Sequence, residues 1–191
     1  MDQIILELIS TATIAIAVFG IAFCLMQHQY QRVNRSFAAF LGVVALNNLP
    51  DAFVRLFDLI PGSGLPALML AIWLCSALCL APFLWVYVYA LTSTAQRLPT
   101  HLPRHLVLPA LGVLISLAIV FVPDPVRAAL FINDELPSSG WPLVLIVALS
   151  GLQLALYPQL AVYLYLVTRR LLCYRRRLRD VYASTEDHEL R

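Results

Sequence analysis

The densest set of residues able to do chemistry inside an apolar stretch reads Asn47-Asn48-Leu49-Pro50-Asp51-Ala52-Phe53-Val54-Arg55-Leu56-Phe57-Asp58. On one helix Asp51 falls a turn before Arg55, and Arg55 nearly a turn before Asp58, so the three charges can neutralise one another on a single face. Pro50 removes a backbone donor in the same stretch and frees a carbonyl. A charged side chain at the bilayer centre costs about 2.5 to 3.5 kcal/mol on insertion scales, so such a set calls for a purpose. Two main readings stand. Asp51, Arg55 and Asp58 form an ion network while Asn47 and Asn48 hold helices in register. Alternatively, these residues line a ligand or ion site to which Trp73, Trp85, Tyr87, Tyr89, Gln153 and Tyr157 add stacking faces and hydroxyls. A proton relay is a third, thinner reading.

Other chemistries find no spacing to support them. His28, His101, His105 and His188 fall in expected loops or the tail, and no G-x-S-x-G, H-E-x-x-H or glycine-rich phosphate loop occurs. No catalytic residue, metal site or cofactor is expected, and the chain is not expected to be an enzyme. Cys24, Cys75, Cys79 and Cys173 lie in or beside apolar runs without a C-x-x-C pair. Cys75 and Cys79 share a helix face at i, i+4, a spacing that suits packing of small buried side chains.

Membrane helices must position these residues. Of 191 residues, 61% are hydrophobic and 13% charged, with mean hydropathy +0.81, a balance outside that of soluble domains. Apolar runs of about 20 residues fit spanning helices rather than the short alternating strands of an outer-membrane barrel. The expected fold class is all-α, a polytopic transmembrane helical bundle of about five spanning helices with a helical basic cytoplasmic extension. The spans are Ile4 to Met26, Ser36 to Ile60, Leu65 to Leu91, Leu106 to Val122, and Trp141 to Val167. The first 26 residues contain no Lys or Arg, so they read as a span and not as a signal peptide. Pro82, Pro109, Gly151 and Pro158 are kink candidates.

All 13 basic residues are arginine. Arg169, Arg170, Arg175, Arg176, Arg177 and Arg179 follow the last span, where they fix topology and meet anionic headgroups. The loops His28 to Arg35 and Thr92 to His105 carry Arg32, Arg35, Arg97 and Arg104. Pro61 to Gly64 carries none, and Pro123 to Gly140 sets Arg127 against Asp124, Asp134 and Glu135. The positive-inside rule therefore places the N-terminus outside and the C-terminus in the cytoplasm of a bacterial inner membrane. Residues 1–170 form the bundle and residues 171–191 a basic cytoplasmic tail or linker.

From Trp141 to Arg179 the last helix would reach about 58 Å at ~1.5 Å per residue, nearly twice the ~30 Å hydrocarbon thickness. Leu171, Tyr174, Leu178, Val181 and Tyr182 lie opposite its arginine-rich face, suited to the membrane surface or another helix. Ser184-Thr185-Glu186-Asp187 is expected to break this helix and cap a new one near His188. The loop before Trp141 holds a weak apolar stretch from Val126 to Ile132, expected as a short interfacial helix. Trp141 with Pro142 suits a helix start at headgroup level.

At Pro82-Phe83-Leu84-Trp85-Val86-Tyr87-Val88-Tyr89-Ala90-Leu91-Thr92-Ser93 the chain resembles a P-x-L-Y-x-Y-x-x-A-L-T segment. That segment belongs to the membrane-embedded sensor region in front of certain AraC-type transcription regulators and related bacterial sensor histidine kinases. Arg104-His105-Leu106-Val107-Leu108-Pro109-Ala110-Leu111 is similar to the same family's H-L-L-P-A-L helix start. Tyr174 to Arg191 is similar to its basic loop, which ends in S-x-x-E-x-x-x-L-x-W-L. Ala90 follows Tyr89 where the family often carries an arginine nearby. The resemblance covers most of the chain and implies a sensory input region, with a further pair of spanning helices and a helix-turn-helix or kinase output expected beyond Arg191. Neither DNA binding nor kinase activity maps onto a residue here. The implied mechanism is a population shift, in which a stimulus favours one arrangement of the last helix and its extension carries the motion outward.

Expected partners are the lipid bilayer, a small-molecule or ion stimulus, a second copy of the chain, and nucleic acid only through an output domain absent from this chain. Two rival functions remain: a small multi-pass transporter or channel-like protein, and a structural membrane assembly subunit. The transporter needs a polar stripe across the whole bilayer, and the inner halves of the spans look mostly apolar.

Overall fold

The computed structural model describes residues 2–54, 65–93, 102–122 and 140–189, and all regular structure among them is helical. The helices are α1 (Asp2–Met26), α2 (Gln31–Ala52), α3 (Leu65–Thr92), α4 (Leu102–His105), α5 (Val107–Val120) and α6 (Trp141–Glu189). Three stretches, Gln3–Met26, Leu65–Thr92 and Trp141–Arg179, are long and apolar enough to cross a membrane. The 22-residue α2 has its apolar run diluted by Asn34, Arg35, Asn47 and Asn48. The 14-residue α5 reaches only about 21 Å at ~1.5 Å per residue. Leu106 joins α4 to α5: its N–H donates to the Pro103 carbonyl (3.1 Å) and its own carbonyl accepts from Ala110 (2.9 Å).

Three expectations need correction. First, α2 does not run unbroken to Ile60 but ends at Ala52. Pro50 cannot donate to the carbonyl one turn back, and Phe53 leaves helical geometry (φ −115°, ψ 18°) with its N–H closing on the Pro50 carbonyl at 3.3 Å. Arg55 and Asp58 lie outside the described residues. Second, α6 passes through Ser184-Thr185-Glu186-Asp187 to Glu189 without a break. Serine and aspartate cap a helix only where the preceding backbone leaves the helical region; within a helix they cost a few tenths of a kcal/mol each. Third, Pro109 falls in the first turn of α5, where a missing N–H matters little, and is not a kink. Pro82 and Pro158 do lie inside α3 and α6. Val126 to Ile132, Arg97, Arg127 and the Pro61 to Gly64 loop lie outside the described residues.

Helix α1 meets α2 through Ser10, Ala17 and Cys24, a buried stripe at seven-residue spacing, while Leu8, Ile16, Phe19 and Phe23 face outward. Small side chains let membrane helices approach closely. The α1 hydroxyls outside that stripe are satisfied locally, Thr11 donating to the Glu7 carbonyl (2.7 Å) and Thr13 to that of Ile9 (2.8 Å). Tyr30, in left-handed geometry at φ 55°, turns the chain into α2, where Val33 and Asn34 N–H groups donate to its carbonyl.

Helix α3 is the hub, packing against α2, α5 and α6. Its fully buried Leu74 and Leu78 meet Leu152 of α6, with Trp73, Leu108, Ile115, Leu149 and Leu156 around them. Helix α5 comes close at Gly112, where a Cβ would lie 2.7 Å from Leu78 Cδ1. The Cys75 Sγ and Ser116 Oγ atoms, 3.6 Å apart, tie the same pair of helices. Gly112→Leu should therefore separate α5 from α3 and lower stability by about 1–3 kcal/mol in reversible detergent unfolding. Wild-type stability in that variant would contradict the close approach.

Candidate functional site

The seam between α3 and α6 gathers the polar groups of the bundle. On α3, Trp85, Tyr89 and Thr92 recur at i, i+4, i+7, and on α6, Gln159, Tyr163, Val167 and Arg170 recur at i, i+4, i+8, i+11. Each set makes one helical stripe, and the two stripes meet.

At the arginine-bearing end of the seam, Arg170 turns back onto α3. Its Nε donates to Thr92 Oγ1 at 2.7 Å, and its guanidinium carbon lies 3.7 Å from the centre of the Tyr89 ring. The buried Thr92 hydroxyl donates to the Val88 carbonyl at 2.8 Å, which leaves its lone pairs for the arginine. Two turns deeper, His105 Nδ1 and the Tyr163 hydroxyl are 2.7 Å apart, the donor depending on the histidine tautomer. The imidazole also lies against Trp85, with ring centres 4.4 Å apart. Trp85 in turn meets Tyr89 at 5.4 Å and Tyr163 at 6.4 Å. Helices α3, α4 and α6 are thus fastened at one point. Tyr163 is 8% exposed, and its hydroxyl is engaged with His105, so the group reads as a latch and not as a reactive pair open to substrate.

The latch is modest in energy. A charge-assisted hydrogen bond contributes about 1.5–3 kcal/mol and a cation–π contact about 0.5–2 kcal/mol. Arg170 is only partly buried, so about 1–2 kcal/mol remains after solvent screening. That is roughly a tenfold bias between fastened and released states.

Deeper in the seam, Pro82 withholds the N–H that would close on the Leu78 carbonyl one turn back. Gln159 supplies the missing donor from α6, its Nε2 lying 2.8 Å from that carbonyl. Gln159 is 8% exposed, and its Oε1 is buried with no partner. Beside it lies a cavity of about 590 Å³ between α3 and α6, lined by Trp73, Ser150, Gln153, Tyr157 and Gln159 among apolar side chains.

The residues nominated from sequence therefore fall in separate places. Trp85 and Tyr89 enter the latch; Trp73, Gln153 and Tyr157 line the cavity. Tyr87 points away from both and stacks on Phe37 of α2 at 4.7 Å. Asn47 Oδ1 lies 3.3 Å from the Ser76 hydroxyl of α3, an inter-helix tie. That single proton also has the Ile72 and Trp73 carbonyls within reach. Asn48 donates to the Val44 carbonyl of its own helix at 2.8 Å, and Asp51 is half-buried near the end of α2. Arg169, Arg175, Arg176, Arg177 and Arg179 are exposed on α6, whereas Arg170 faces inward.

Sequence reasoning missed His105, Tyr163, Thr92 and Gln159. Two signals were available. The carbonyl that Pro82 orphans in a buried helix requires an outside donor, and Tyr163 shares a helical face with Arg170.

No protein-family model matches the chain, and no curated protein or solved structure is significantly similar to it. Among the described residues, what the fold defines is an all-helical architecture with three helices long and apolar enough to span a membrane.

The latch makes a quantitative prediction. In a double-mutant cycle of Arg170→Gln and Tyr89→Leu, unfolding in detergent should give a coupling energy of about 0.5–2 kcal/mol. Strict additivity would remove the cation–π contact from the account.

Proposed function

We propose that the chain is the membrane-embedded signal-input region of a bacterial inner-membrane signalling protein, a transcription regulator or sensor kinase, with α6 as its output rod. One observation carries the reading: α6 runs unbroken for 49 residues from Trp141 to Glu189. It passes from an apolar stretch into an arginine-rich one, and the latch grips it at Arg170, where the two meet.

A rod fastened by about 1–2 kcal/mol of hydrogen bond and cation–π contact suits a two-state device. A stimulus that binds the released arrangement about tenfold better would cancel the bias, and the extension beyond Arg170 would carry the change outward. In this reading α1, α2, α3, α5 and α6 are the spans. The N-terminus lies outside, with the α1–α2 turn and the α6 extension in the cytoplasm, as the arginine distribution favours. The resemblance to the AraC-type and kinase sensor regions supports the same assignment.

Two measurements test it. In the full-length product expressed from its native locus, Leu171→Gly with Leu172→Gly should interrupt the rod just past the latch and abolish the response of the output while leaving membrane insertion intact. An unaltered response would overturn the rod mechanism. For topology, cysteines placed singly at Gln29 and Ser184 in a cysteine-free background should be shielded from a membrane-impermeant maleimide in intact spheroplasts and become reactive on lysis. Labelling of either site before lysis would reverse the orientation.

A further inference from the structure

We propose that the cavity between α3 and α6 is a binding site for a neutral, largely apolar molecule that carries a hydroxyl or N–H donor. Its volume of about 590 Å³ falls within the range of small-molecule sites. The wall combines Trp73, Leu80 and Leu156 with the polar side chains of Ser150, Gln153 and Gln159.

The chemistry of the ligand follows from a polar atom at the wall that has no partner. Gln159 gives one amide N–H to the Leu78 carbonyl, and its Oε1, buried and without a partner, is an acceptor left unsatisfied at the wall. An unpaired buried acceptor costs about 1–3 kcal/mol, so it favours a ligand that brings a donor. No charged residue lines the cavity, so a cation would have no counter-charge at membrane depth and a neutral donor is favoured. Gln159 lies eleven residues from Arg170, about 16 Å along the helix, which places the site near mid-bilayer. Two of its lining residues, Leu154 and Tyr157, are 69% and 73% exposed.

A bilayer-borne amphiphile and a small water-borne phenol or indole share this chemistry. The site stands or falls independently of the signalling role, because its test reads binding alone.

The test uses the purified chain in lipid nanodiscs, photolabelled with a diazirine derivative of 4-octylphenol. Competitors are 4-octylphenol and 4-octylanisole, which differ only in the donor. Adducts should map to cavity residues, and the phenol should compete about tenfold better than the ether. In the double variant Pro82→Ala, Gln159→Leu, the alanine that replaces the proline returns a backbone N–H to the Leu78 carbonyl, so that helix no longer needs the glutamine. The preference for phenol should then fall to about threefold or less. Competition by 4-ethylphenol at similar affinity would support the site with a water-borne ligand, and competition by the long chain alone would support it with a bilayer-borne one. Absence of saturable adducts in the seam, or equal competition by phenol and ether in the wild type, would overturn the proposal whether or not the double variant folds.

Discussion

Inside hydrocarbon every backbone polar group needs a partner, and Pro82 breaks that rule in the central helix of this bundle. The carbonyl of Leu78 loses its own N–H, and Gln159 of α6 restores a donor at 2.8 Å. Formed, such a bond contributes about 1 kcal/mol; the larger effect is the several kcal/mol that an orphaned carbonyl would cost at membrane depth. The pairing consequently fixes the register of α6 on α3. One turn on, Tyr163 meets His105 beside Trp85, and two turns beyond that Arg170 reaches Thr92 and Tyr89. The latch and the cavity are both consequences of that register.

The two sides of the bundle are held by different physics. Between α1 and α2, small side chains such as Ser10, Ala17 and Gly20 allow close backbone approach, and such packing is not easily undone without losing many contacts at once. Towards α6, a few directional polar contacts do much of the fastening. Arg170 meets a neutral hydroxyl and a ring face. Its release into water leaves no buried charge behind, unlike the breaking of a buried salt bridge. The Arg170 end of α6 can let go at modest cost while the α1–α2–α3 packing stays in place.

Long apolar runs made α1, α3 and most of α6 legible from sequence, because the thickness of the bilayer sets the length of the element. The end of α2 was less so: hydropathy continues past Pro50, and the break comes from a missing donor and the geometry of Phe53. Polar residues near the far end of α6 suggested a stop, yet the helix continues through Ser184 to Glu189. The site was only partly readable. Trp85, Tyr89, Gln153 and Tyr157 stood out as aromatic or polar residues in apolar runs, and all four line the seam. His105 was passed over because it falls beside a loop, and Arg170 because an arginine after a span already has a topological reason to be there. Their significance depends on the α3–α6 register, which no single helix encodes.

The account rests on α6 being one rigid rod held to the bundle by its latch. Spin labels at Arg32 on α2 and Arg176 on α6, both exposed, in a background with the native cysteines replaced, report that directly through their pulsed-resonance distance distribution in nanodiscs. A single narrow distribution that broadens or shifts by several ångströms on Arg170→Gln is the expected result. A distribution already broad with Arg170 in place would contradict the rod, and superimposable distributions with and without the substitution would contradict the latch.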